Sequence, residues 1–157
     1  MRYLMSRGRP GWEPPSSQAA VRRDGYFELW KVRLPPYTAL ADGDTVVLLD
    51  ARRGVRRLVW ELRVRDLLRQ PYADLDQAVG ILAAHLDRDP DELAASGDVV
   101  GRAPAGHLLA FRASPVRRLD IPLPAGVSLG ALGGRHGWVP LDRLPAEALE
   151  AADLALK

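Results

Sequence analysis

The chain has 157 residues, 47% of them hydrophobic and 27% charged, a composition typical of a soluble globular protein with one domain over residues 1–157. The absence of cysteine excludes disulfides, thiol nucleophiles and every cysteine-based metal site. A net charge of only +2, no apolar run near about 18 residues and no signal-peptide core at the start argue against a membrane protein and favour the cytoplasm.

The spacing of apolar residues predicts the elements, because a period of two indicates a strand and a period of about 3.6 indicates a helix. In chain order, the sequence predicts strands at residues 3–6, 26–34, 45–50 and 58–66, helices at 74–86 and 89–96, strands at 107–113 and 138–139, and a terminal helix at 145–154. The clearest strand places Leu58 and Trp60 on a core face. Its opposite face carries Arg63 and Arg65.

Turn and capping residues indicate where these elements begin and end. Pro35-Pro36 ends the second strand, because proline cannot donate to a ladder. Asp74 and Gln77 fit a capping box at the start of the first long helix. The segment 117–134 is rich in proline and glycine, so we expect it to be irregular.

Short strands interrupted by a helical pair predict an α+β fold. We expect a small, curved, mixed sheet or pseudo-barrel with a helical insertion at about residues 74–97 and a C-terminal helix. A layered parallel sheet would need strands and helices in regular alternation, and this sequence lacks that alternation.

The charges are unevenly distributed along the chain. Residues 1–69 carry 14 basic and 8 acidic side chains, whereas residues 70–157 carry 8 basic and 12 acidic ones. Arginine accounts for 20 of the 22 basic residues, and its planar guanidinium can fork to a phosphate or stack on a base. The first half is therefore a candidate surface for a polyanion.

No constellation of side chains predicts catalysis or metal binding. His85, His107 and His136 lack the spacing of a metal-ligating pair, and no phosphate-cradling loop or nucleophile elbow occurs. We therefore expect no catalytic residue, no metal and no cofactor. His85 and His107 are interpreted as structural, whereas the glycine-rich setting of His136 would let that imidazole reach a ligand.

Aromatic residues with basic neighbours are the remaining signal. Trp30 precedes Lys31 and Arg33, and Trp60 precedes Arg63 and Arg65. Bases of single-stranded or extruded nucleic acid stack on aromatic rings beside a basic track. The alternative is that both tryptophans pack in the core, as their place in the strand alternation also allows.

Three consecutive segments carry a resemblance to a known family. A strand with a central Glu28 among basic residues leads to the turn Gly43-Asp44-Thr45-Val46 and its strand, and then to a returning strand over residues 58–67. This run is similar to ASCH and EVE domains of the PUA-like superfamily.

The resemblance implies a PUA-like pseudo-barrel that binds RNA, or a modified or extruded base, in a cleft without catalysis. Glu28 matches the pocket-side Glu of the family, with Lys31 and Arg33 on the same element. The Lys and Thr that precede this Glu in enzymatic ASCH relatives are replaced by other residues at positions 24–26, which argues against amidohydrolase activity. The predicted nucleic-acid-binding residues are Glu28, Trp30, Lys31, Arg33, Trp60, Arg63, Arg65 and His136.

Two other functions stay open. The acidic helical pair could dock a protein partner or a second copy of the chain, giving a homodimer. Alternatively, the cleft could hydrolyse a modified nucleoside with Glu28, Lys31 and His136 as the available groups. Glu28 and Lys31 are three apart in a strand, so they are expected on opposite faces, which weakens the hydrolase hypothesis.

Overall fold

The computed structural model describes residues 2–129 and 137–153. Its elements in chain order are strand β1 (Arg2–Arg7), helix α1 (Gln18–Arg23), strands β2 (Tyr26–Trp30), β3 (Thr45–Asp50) and β4 (Arg57–Tyr72), helices α2 (Leu75–Leu86) and α3 (Pro90–Ala95), strands β5 (Gly106–Pro122) and β6 (Trp138–Pro140), a 3-10 helix (Leu141–Arg143) and helix α4 (Ala146–Ala151).

The strands form a mixed sheet with the order β2-β5-β4-β3-β1-β6. β1 runs parallel to β3 and antiparallel to β6, while β2 pairs antiparallel with β5 and β3 antiparallel with β4. The sequence predicts strands of one sheet in the segments 26–34, 45–50, 58–66 and 107–113, and each of these segments contributes a strand to the observed sheet. In chain order, helices α2 and α3 follow β4 and precede β5. The predicted α+β class, the inserted helical pair and the C-terminal helix are therefore confirmed.

The described chain divides into two compact units, each assembled from separate segments. Unit 1 contains residues 1–16, 44–63 and 115–157, and unit 2 contains residues 17–43 and 64–114. β4 and β5 are long enough to run through both units. The predicted extent of a single domain over residues 1–157 stays a prediction.

Each unit has its own apolar cluster. In unit 1, residues of β1, β3 and β6 pack with the 3-10 helix and α4, and Leu4, Val47 and Val139 are among its fully buried members. In unit 2, β2 and the first part of β5 pack against α2 and α3, with Leu82 and Leu93 fully buried. The apolar faces of the strands and helices thus account for both clusters.

Local signals set several boundaries as predicted. The Asp74 carboxylate accepts from the Gln77 backbone N–H at 2.7 Å, and the Gln77 side-chain oxygen accepts from the Ala73 N–H at 2.6 Å. This is the predicted pairing of Asp74 and Gln77 at the start of α2, with the return bond made to Ala73, the residue before the N-cap, rather than to the N-cap itself. The helix α1 was not predicted; the Ser17 hydroxyl caps it by accepting from the Ala20 N–H at 3.1 Å.

Three strand boundaries differ from the prediction. β2 ends at Trp30 rather than at residue 34, ahead of the bend before the cis Pro35-Pro36 peptide. β4 continues to Tyr72 past Asp66, whose φ of 51° marks a local irregularity within the strand. β5 continues to Pro122, through a segment expected to be irregular, because it pairs with β4 in the sheet, and the Arg57 guanidinium of β4 donates to the carboxylate and the carbonyl of Asp120.

Candidate functional site

Both faces of β2 are buried: one packs in the apolar cluster of unit 2, and the other carries the Glu28 carboxylate. Phe27 and Leu29 belong to the apolar cluster beneath α2. Because side chains alternate along a strand, Tyr26, Glu28 and Trp30 point to the other face. The predicted alternation of this segment is therefore confirmed over residues 26–30.

Strand β5 completes this face. The antiparallel register pairs Tyr26 with Phe111, Glu28 with Leu109, and Trp30 with His107. Paired residues of neighbouring strands project to the same side of a sheet. We call the resulting set the β2–β5 face, consisting of Tyr26, Glu28, Trp30, His107, Leu109 and Phe111.

Glu28 is the carboxylate of this face and is only 8% exposed. Along its own strand it lies between Tyr26 and Trp30, and across the ladder it is opposite Leu109. The rings of Tyr26 and Phe111 stack next to it, with centroids 5.5 Å apart and planes inclined by 23°. A carboxylate among aromatic and aliphatic groups is a directional hydrogen-bond acceptor in a largely apolar site.

The imidazole of His107 borders the same face from β5. Its Nδ1 atom is buried and has no hydrogen-bond partner within residues 2–129 and 137–153. A buried polar atom without a partner costs about 1–3 kcal/mol, so such an atom in a stable fold calls for a water molecule or a ligand group. His107 is a diagonal neighbour of Glu28, because Trp30 pairs with His107 and Glu28 with Leu109, and diagonal neighbours are within reach of long side chains.

The loop after β2 brings an arginine–aromatic pair to His107. The Tyr37 and His107 rings have centroids 5.1 Å apart and planes inclined by 60°. The guanidinium carbon of Arg33 lies 5.9 Å from the centroid of the Tyr37 ring, within the range of a cation–π contact. Tyr37 is buried, whereas Arg33 and the neighbouring Lys31 are exposed.

Gly106 is required for this arrangement. A Cβ atom built on it would collide with the backbone carbonyl of Trp30. The absence of a side chain therefore lets the first residue of β5 approach the end of β2 closely, which places His107 beside Trp30.

The two predicted tryptophans lie in the interior. Trp30 and Trp60 are each 3% exposed, so neither ring presents a free face to a base in this conformation. The Trp60 indole N–H donates to the Pro15 carbonyl at 2.8 Å, and the guanidinium of Arg118 lies 5.9 Å from the Trp60 ring centroid. This burial agrees with the alternative that the tryptophans serve the core.

The remaining predicted residues are distributed between the units. Arg63 is exposed in unit 1, whereas Arg65 is exposed in unit 2 and donates to the Ser114 hydroxyl at 3.0 Å. Unit 2 therefore contains Glu28, Trp30, Lys31, Arg33 and Arg65 of the predicted set. His136 lies outside the described residues.

Two residues of the β2–β5 region were not predicted as site residues. His107 was interpreted as structural, and Tyr37 was not singled out at all. The available signal was alternation: His107, Leu109 and Phe111 share one face of a predicted strand. Nothing in the local sequence connects Tyr37 with His107, because 70 positions separate them.

Other features have less chemistry. The apolar sides of α2 and α3 pack in the unit 2 cluster. Among the described residues, the exposed large hydrophobic side chains are Val32, Val100 and Val116, and none of them lies in these helices. Among the described residues, no group of three or more histidine, cysteine or carboxylate side chains could hold a metal ion. No helix of the described segments is long and apolar enough to cross a membrane.

Comparison with solved structures identifies the fold. The crystal structure of ASCH from Zymomonas mobilis matches with a TM-score of 0.52 and 12% sequence identity, over 96% of this chain and 92% of that chain. Structural-genomics proteins from Pseudomonas putida and Pseudomonas syringae match with TM-scores of 0.47 and 0.44 and identities of 18% and 16%, over 97% and 96% of this chain and 99% and 96% of theirs.

No protein-family model matches the sequence, and no curated protein matches it. The Zymomonas mobilis match bears out the resemblance that the sequence carries, and the chain has a PUA-like fold of the ASCH type.

Proposed function

We propose that this protein binds RNA, or a modified or extruded nucleic-acid base, at the β2–β5 face without chemical turnover. The observation that carries the proposal is the pairing of two hydrogen-bonding groups in one largely buried patch. The Glu28 carboxylate is an acceptor, and the Nδ1 atom of His107 has no partner in the described structure. A base edge offers donors and acceptors in such a pattern.

Arg33 takes the stacking role in this proposal. Its guanidinium is supported on one side by the Tyr37 ring, and its side chain is exposed. Bases of single-stranded RNA stack on arginine planes as well as on aromatic rings. The proposal therefore assigns no stacking surface to Trp30 or Trp60, whose rings are buried.

Lys31 and Arg65 supply positive charge close to β2 and β5. Lys31 directly follows β2, and Arg65 on β4 donates to the Ser114 hydroxyl of β5. Both side chains are exposed, and both lie in unit 2 with Glu28. Contacts of this kind with phosphate set affinity and its dependence on salt rather than base specificity. The fold supports the proposal only in a general way, through the nucleic-acid-binding role that the ASCH resemblance implies.

The test is a filter-binding titration of single-stranded RNA and DNA at low and moderate salt. We expect affinity that falls as salt rises, since phosphate contacts release counterions. The variant Glu28→Gln should lose about tenfold in affinity, because a hydrogen bond to a charged group contributes about 1.5–3 kcal/mol. Glu92→Gln is the matched control, since that carboxylate is exposed on α3.

Absence of binding, or binding that does not respond to salt, would reject the proposal. Equal affinities of Glu28→Gln and Glu92→Gln would remove Glu28 from the site. Incubation of the same complexes followed by nucleoside chromatography tests the hydrolase alternative. Release of a modified product would show turnover and replace the non-catalytic function with an enzymatic one.

A further inference from the structure

A group of arginines in unit 1 lies outside the site described above. Its members come from the end of β1, the loop that follows, and the β3–β4 hairpin; they are Arg7, Arg9, Arg52, Arg53, Arg56 and Arg57. We call this group the arginine surface. Unit 1 as a whole carries 13 basic and 9 acidic residues, whereas unit 2 carries 9 basic and 11 acidic ones, so the positive charge of the chain is concentrated in unit 1.

Backbone contacts hold the two arginine-bearing loops together. The parallel register of β1 and β3 pairs Arg7 with Asp50, and the Ala51 N–H donates to the Arg7 carbonyl at 2.7 Å. A Cβ atom on Gly8 would lie 2.6 Å from the Ala51 carbonyl oxygen, a separation that real Cβ atoms do not adopt. Glycine at this position therefore permits the close approach of the loops.

The acidic groups nearby are committed within the protein. Asp50 is 2% exposed and accepts from the backbone N–H and the guanidinium of Arg52, at distances of 2.8–3.2 Å. These hydrogen bonds lower the pKa of Asp50 and raise that of Arg52, to which the charge of Glu13 also contributes. Asp120 pairs with Arg57 at 2.8 Å. The Asp50 and Asp120 carboxylates are thus engaged by Arg52 and Arg57.

The hairpin presents one arginine at its tip. Gly54 has a φ of 81°, and the following Arg56 has a φ of 60° and donates from its guanidinium to the Val127 carbonyl. Arg53 is exposed and makes no hydrogen bond or ion pair with any residue that the structure describes. Its planar fork of donors is suited to bidentate contact with a phosphate.

We propose that the arginine surface binds the phosphodiester backbone of single-stranded RNA, as a second contact beyond the base-binding face; this inference rests on the proposed function. Residues 1–16 and 44–63 contain no lysine, so their positive charges are all guanidinium groups, which can bind phosphate in a bidentate manner. Each phosphate contact on a single strand adds about 0.7 to the salt dependence of the logarithm of affinity.

The experiment compares Arg53→Ser with Arg88→Ser, which removes the same charge from an exposed position between α2 and α3. Filter binding of a single-stranded RNA of about 12 nucleotides is measured from about 50 to 200 mM salt. We expect Arg53→Ser to reduce the slope by about 0.7 and the affinity about fivefold at 0.1 M salt. Arg88→Ser should match the wild type.

The outcomes separate the two proposals. If the wild type binds no RNA, the proposed function itself fails. If the wild type binds RNA with an affinity that falls with salt, while Arg53→Ser and Arg88→Ser show the same salt dependence, RNA binding by the arginine surface is overturned. That result would leave the proposed function in place. Binding of a nucleoside monophosphate should be equal in the wild type and Arg53→Ser. Binding to vesicles containing phosphatidylserine that depends on Arg53, with unchanged RNA binding, would assign the surface to a membrane and overturn the inference.

Discussion

Two arginine–aromatic pairs, one in each unit, have the same separation and different surroundings. The guanidinium of Arg118 lies 5.9 Å from the Trp60 ring in unit 1, and that of Arg33 lies 5.9 Å from the Tyr37 ring in unit 2. In unit 1 both members of the pair donate hydrogen bonds to backbone carbonyls of the proline-rich loop. In unit 2 the pair adjoins His107, whose Nδ1 lacks a partner in the described structure.

A cation–π contact alone therefore does not identify a binding site. A cation over a ring contributes about 0.5–1 kcal/mol at an exposed position, whatever its purpose. The pairs differ in the hydrogen bonding of the polar atoms around them. Polar atoms that have hydrogen-bond partners within the protein stabilise the fold, whereas a buried polar atom without one is stabilised by a water molecule or a ligand group. We therefore expect substitutions in the first pair to affect stability and those in the second to affect binding.

The largest effect should come from Trp60→Ala. Removing this buried ring leaves a cavity and also leaves the Pro15 carbonyl without its donor, so the free energy of unfolding should fall by about 3–5 kcal/mol. Urea unfolding followed by circular dichroism measures the change. A loss below about 1 kcal/mol would contradict the structural role of Trp60.

A second large effect is expected at the Asp50–Arg52 pair of unit 1. Arg52→Ala leaves the buried Asp50 carboxylate without its guanidinium and should lower the free energy of unfolding at neutral pH. The pKa of Asp50 is lowered in the folded protein by the hydrogen bonds from Arg52. The stability from this pair is therefore present above the unfolded pKa of about 3.9 and is lost as the pH falls through the lower folded pKa.

The Asp50→Asn variant checks the sign of this pH dependence. Urea unfolding of the wild type and of Asp50→Asn should give curves of stability against pH that converge as the solution is made acidic, since the protonated carboxyl resembles the amide. Curves that stay parallel down to about pH 3 would show that Asp50 does not contribute to acid sensitivity.

An intermediate effect, this time on binding, separates the two arginines directly. Arg33→Ala should weaken binding of single-stranded RNA about tenfold, because one stacked base contributes about 1–3 kcal/mol. Arg118→Ala should change the affinity less than about twofold, although it removes the same charge and an equivalent cation–π contact. Filter binding at one salt concentration measures the RNA affinity of both variants. Equal losses of affinity in Arg33→Ala and Arg118→Ala would contradict the assignment of a binding role to the Arg33 pair alone.

The smallest effect on stability is expected at His107. His107→Phe replaces a buried ring nitrogen that lacks a described partner with an apolar group of similar shape, so the free energy of unfolding should stay within about 0.5 kcal/mol of the wild type or rise. RNA affinity should fall about fivefold through the loss of one hydrogen bond. A large loss of stability with unchanged RNA affinity would show that His107 is a structural residue, as its place in the sequence predicts.

Much of the fold follows from local signals in the sequence. An apolar run after a turn predicts β3, alternation predicts the first part of β4, and alternation also separates the Phe27 and Leu29 side of β2 from the face that carries Glu28. The capping box at Asp74 predicts the start of α2 within one residue. These features depend on residues a few positions apart, so the sequence contains everything needed to predict them.

The remaining features depend on pairing between distant segments. β5 passes Pro115 and continues to Pro122 because β4 lies beside it as a hydrogen-bonding partner, although the local composition favours a loop. Sequence alone allowed Trp60 to be either a stacking platform or a core residue, and its hydrogen bond to the Pro15 loop decides for the core.

The candidate site shows the same division. The sequence alone predicts which face of β2 holds Glu28, because strand periodicity is local, whereas Lys31 and Arg33, which the sequence predicts on the same strand, lie in the loop that follows Trp30. His107 reaches the Tyr37–Arg33 pair through tertiary structure, since the antiparallel β2–β5 register and the close approach at Gly106 join segments that are distant in the chain.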